Sequence, residues 1–112
     1  MSGIINGEVP LSLAVSQTKK WQCNRPNEPK AFRFDKSDFE HLLSEPNVAY
    51  IRIYFGEDDQ GKQSVFAVGV DQADYDLTGT ETNSRVYDFA QPCPPTCAPN
   101  HVLNHEDPCQ SL

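Results

Sequence analysis

Residues 48–55 read Val48, Ala49, Tyr50, Ile51, Arg52, Ile53, Tyr54, Phe55, and residues 63–71 are again rich in valine and phenylalanine. β-Branched and aromatic side chains at this density suit a pleated surface. The seven residues between the two runs, Gly56 to Lys62, are polar and contain two glycines. Two such runs joined by a short glycine-containing loop read as an antiparallel hairpin. A hairpin fixes two faces, because successive side chains on a strand point opposite ways. Ala49, Ile51, Ile53 and Phe55 fall on one face; Val48, Tyr50, Arg52 and Tyr54 fall on the other. The first is a core face. The second carries two tyrosines and an arginine.

The rest of the chain supplies partners for that sheet. In residues 10–22, Leu11, Ala14, Val15, Thr18 and Trp21 follow a helical stripe, opened by Pro10. Residues 30–34 read as a short strand and residues 37–45 as a second helix, with Phe39, Leu42 and Leu43 on its apolar side. Two N-caps compete there. Ser37 with Glu40 makes a capping box, whereas Asp35 as cap lets Phe34 staple onto Phe39. A short strand at 84–90 follows an acidic stretch. From Gln91 onward, Pro92, Pro94, Pro95, Pro99 and Pro108 argue against regular structure. The expectation is an α+β fold: a small antiparallel sheet of three to four strands with two helices packed on one face. The compact domain is expected over residues 1–97, with an irregular proline-rich tail over 98–112.

Composition limits what the chain does. Nine Lys and Arg stand against 16 Asp and Glu, a net charge of −7. Nucleic-acid binders and basic membrane-surface proteins need a cationic footprint, so neither partner is expected. Residues 65–70 are the longest apolar run, far too short to cross a bilayer. Met1 to Glu8 lacks the charged start and apolar centre of a secretory leader. A cytoplasmic location is expected. In that setting four cysteines are read as thiols or metal ligands before disulfides.

Cys93, Cys97, His101, His105 and Cys109 recur every fourth residue. The prolines among them forbid one continuous helix, but a folded loop that gathers Cys93, Cys97, His101 and His105 would suit tetrahedral Zn²⁺. Zinc is thus the one cofactor the sequence suggests. A structural Cys93–Cys97 link fits an oxidising compartment. A thioredoxin-type redox pair fits poorly, because the spacing is one residue too long. Cys23 stands alone and reads as a small half-buried hydrophobe. The acidic runs at 57–61 and 71–76 do not follow the calcium-loop pattern and read as solvated loops. No nucleophile sits in an elbow or partner motif, and the glycines form no phosphate-binding loop. A catalytic role is therefore not expected.

Lys30-Ala31-Phe32, Leu42-Leu43-Ser44-Glu45-Pro46, Ile51-Arg52-Ile53-Tyr54-Phe55-Gly56, Val68-Gly69-Val70-Asp71 and Val86-Tyr87-Asp88-Phe89 with Cys93-Pro94-Pro95-Thr96-Cys97 occur in that order. Together, over about Val9 to Asn100, they resemble a group of short, uncharacterised proteins from Bacteroidota. The resemblance implies one compact domain and carries no activity, cofactor or catalytic residue. His101 and His105 lie outside the shared pattern. The residues themselves point to a small acidic, non-catalytic interaction domain. Its binding face would be Tyr50, Arg52 and Tyr54, turned toward an unidentified protein partner, since tyrosine and arginine are anchor residues of interfaces. The alternative is a zinc-binding protein that uses the Cys/His tail.

Overall fold

The computed structural model describes residues 7–110. The segment 1–6 and the last two residues lie outside the described residues, and with them most of Met1 to Glu8, where no secretory leader is expected. The elements run α1 (Leu11–Asn24), β1 (Ala31–Arg33), α2 (Lys36–Leu43), β2 (Tyr50–Glu57), β3 (Gln63–Val70), β4 (Val86–Tyr87) and β5 (Gln91–Cys93). This is a small α+β domain. Its strands divide into a three-stranded antiparallel sheet, β2-β3-β4, and a separate two-stranded ribbon, β1-β5.

The hairpin forms, but the strand face expected as core is only partly covered: Ile53 is 37% and Phe55 75% exposed, whereas Val68 and Val70 on the opposite face are buried. Tyr50 pairs with Val70, and the register holds through Glu57 opposite Gln63. Asp58 closes the loop with its side chain: Oδ1 accepts from the N–H groups of Gln60 and Lys62, each at 2.9 Å. Gly61 takes the left-handed conformation the turn needs, at φ 77°. The acidic loop is thus turn chemistry.

β3 is the centre of the core. Val65, Ala67, Val68 and Val70 are buried, joined by Leu42 of α2 and Cys93 of β5. Gly69 is required for close approach, since a Cβ there would lie 2.6 Å from Cγ2 of Val48. Asp35 sits at the N-cap of α2 without a side-chain capping bond, and Phe34 stacks on Phe39 with ring centroids 4.8 Å apart. Of the two competing caps, the hydrophobic staple is the one formed. Tyr87, paired with Ala67 on the Ile51–Ile53 face, meets His41 edge-on at 5.9 Å and donates to Glu45 at 2.6 Å. Those contacts seat α2 on the expected face.

Three features depart from the sequence reading. Regular structure continues past Gln91, because β5 pairs with β1 through Pro92 opposite Phe32. Both strands of a two-stranded ribbon are edges, and an edge strand tolerates a residue that lacks a donor. α1 lies against the C-terminal segment. Its Gln22, which is buried, donates to the Leu103 carbonyl at 2.8 Å and accepts from the His105 N–H at 2.8 Å. Cys23 is not a lone apolar residue: it forms a disulfide with Cys109, 86 positions away.

Candidate interaction face

The face expected to bind a partner starts from β2. Residues paired across an antiparallel sheet share a face, so Tyr50 sits with Val70, Arg52 with Val68, and Tyr54 with Phe66. Val68 and Val70 are buried, whereas Tyr50 is 53% and Tyr54 46% exposed. The face therefore has an apolar floor along β3 and aromatic rings standing at its β2 side.

The chain after β3 completes it. Asp71 Oδ1 accepts from the N–H groups of Ala73 and Tyr75, at 3.0 and 2.9 Å. Asp74 adopts the left-handed conformation at φ 73°, which Asp tolerates better than most residues. This turn brings Asp76 beside Val70 as an antiparallel bridge, flanked by bonds from Asp71 N to Tyr75 O and from Leu77 N to Gly69 O. Asp76 thus faces the same way as Val70 and Tyr50.

From there Asp76 holds two of the three expected residues. Its Oδ1 accepts from Arg52 Nη1 at 2.5 Å, and its Oδ2 accepts from the Tyr54 hydroxyl. A second guanidinium nitrogen, Nη2, donates to Asp74. The Tyr54 side chain and Asp76 raise the Arg52 guanidinium further above its high ordinary value, with Asp74 adding to it. Arg52 is a permanent cation. It is also a paired one, which sequence reading did not foresee: two carboxylates meet one guanidinium. Two of the five N–H groups that arginine carries are thus engaged within the fold. The Tyr50 hydroxyl has no partner among the described residues. Tyr50, Arg52 and Tyr54 do share one face, and Asp74 and Asp76 belong with them.

The expected metal ligands do not come together. Cys93 and Cys97 are joined in a disulfide. His101 Nδ1 lies 3.3 Å from the Asn104 carbonyl, and His105 Nε2 lies 3.0 Å from Thr18 Oγ1. Among the described residues no group of three or more His, Cys, Asp or Glu side chains is placed to hold a metal ion. No helix among them is long and apolar enough to cross a membrane.

Sequence reasoning missed Asp76 and the Cys23–Cys109 link. The even number of cysteines was a signal for the link. Asp76 left none, because its place depends on a turn held by Asp71. Comparison with protein-family models, curated proteins and solved structures finds no match.

Proposed function

We propose that the protein is a non-catalytic interaction domain whose binding face is Tyr50, Arg52 and Tyr54. The observation that carries this reading is the fixing of Arg52 and Tyr54 by one carboxylate, Asp76. Side chains ordered before binding lose less entropy on association than free ones. Tyrosine and arginine contribute disproportionately to interfaces, through large rigid contact area and multiple donors. α2 occupies the opposite face at β3 and β4, so a partner reaches these rings without displacing the core. Pairing of all four cysteines supports an oxidising compartment rather than the cytoplasm suggested by sequence.

The test is chemical cross-linking and purification from the native cells, with wild type beside Tyr54→Ala. A stoichiometric adduct in wild type that is lost in a folded Tyr54→Ala protein supports the reading. Identical adducts in both, or none in either, reject it.

A further inference from the structure

A cleft of about 590 Å³ lies between β1, the loop that follows β5 and the C-terminal segment. That volume is in the range of small-molecule sites. Its walls are apolar: Ala31, the Cys93–Cys97 disulfide, Pro99 and Leu103. Asn104 secures the far wall by donating from Nδ2 to the Ala98 carbonyl across the turn. The cleft shares no residue with the Tyr50–Tyr54 face.

Its charge is opposite to that of the molecule. The chain has 16 acidic residues against nine basic ones. Yet the cleft is lined by Lys30 and Arg33 and by no Asp or Glu. Lys30 spends one proton on the His105 carbonyl and has two left. Arg33 is in none of the ion pairs formed among the described residues. An apolar trough with two cations at its rim is complementary to one kind of small molecule. We infer that this cleft binds an amphiphilic organic anion, a carboxylate on an apolar body. The apolar part lies along Ala31, which shares a face with Cys93, and along the disulfide and Leu103, while Arg33 and Lys30 take the carboxylate. Arginine suits that task because its planar fork bonds both carboxylate oxygens.

The test uses the full oxidised chain, octanoate as probe and 1-octanol as its neutral counterpart, followed by amide chemical shifts. Octanoate is expected to bind saturably with Kd below about 1 mM, with shifts concentrated in residues 30–33 and 96–104. Arg33→Glu, an exposed position whose fold is checked by thermal melting, is expected to weaken octanoate at least about tenfold and leave octanol unchanged. Three outcomes overturn the inference: no saturable octanoate binding, octanol binding as tightly as octanoate, or Arg33→Glu binding octanoate as wild type does. None of them bears on the Tyr50–Tyr54 face.

Discussion

Arg52 on β2 reaches past β3 to Asp76, which bridges Val70 at the far edge of β3, so one ion pair ties β2 to the segment beyond β3. The Asp76 side chain is 22% exposed, whereas Asp74, which binds the same guanidinium, is 75% exposed. Exposed pairs contribute about 0–1 kcal/mol, because solvent screens them and two long side chains must be ordered. Asp76 also accepts from Tyr54, so its loss removes two bonds to β2 where the loss of Asp74 removes one. Asp76→Ala is therefore expected to lower the urea midpoint more than Asp74→Ala does. Asp74→Ala should cost less than about 0.5 kcal/mol. Equal losses would show that the two carboxylates are not distinguished as their burial implies.

The Cys23–Cys109 disulfide ties the C-terminal segment to α1 across 86 positions. In the chain-entropy view a closed loop of that length is worth about 4–5 kcal/mol, against about 2 kcal/mol for the short Cys93–Cys97 loop. Replacement of both Cys23 and Cys109 by serine should lower the melting temperature far more than the same change at Cys93 and Cys97. Deletion after Cys97 should be at least as costly, since it also strips Gln22 of its bonds to Leu103 and His105. A truncated protein that melts with the full chain would show instead that residues 1–97 make the compact domain, as the sequence reading expects.

Much of this architecture is legible in the residues, and the exceptions share a cause. Period-two alternation in residues 48–55 gives β2 its faces, and Phe34 before Asp35 gives α2 its start. Both are local patterns. Pro92 in a strand, Gln22 as a buried polar anchor and Cys23 bonded to Cys109 depend on segments far apart in sequence. The candidate face divides the same way. Tyr50, Arg52 and Tyr54 are readable from alternation, but Asp76 reaches them only through a turn held by Asp71.

Tyr87 connects stability to pH. Its hydroxyl donates to Glu45, and that bond, then burial, then the Glu45 charge, raise its pKa above the ordinary tyrosine value of 10.0. The folded state therefore holds this proton more tightly than the unfolded chain. The contribution is full below about pH 10 and is lost as pH rises through the folded value. Thermal melting should show stability falling on the alkaline side of about pH 10, with a shallower fall in Tyr87→Phe. The same slope in both proteins would remove Tyr87 from the account.

Thiolates, not disulfide sulfurs, ligate zinc. With Cys93 and Cys97 joined, elemental analysis of the untagged oxidised protein should find no stoichiometric zinc. One zinc per chain, lost together with thermal stability on chelation, would favour the tail of Cys93, Cys97, His101 and His105 as a metal site.

The interaction face is tested most directly by a photo-reactive side chain placed in the native cells at position 50, with position 55 as control. Phe55 is 75% exposed on the other side of β2, so both probes are accessible on one strand and differ in the face they occupy. The account predicts one discrete adduct from position 50, diminished by Asp76→Ala, and none of the same mass from position 55. Adducts of equal yield from both positions, or none from position 50, would contradict it.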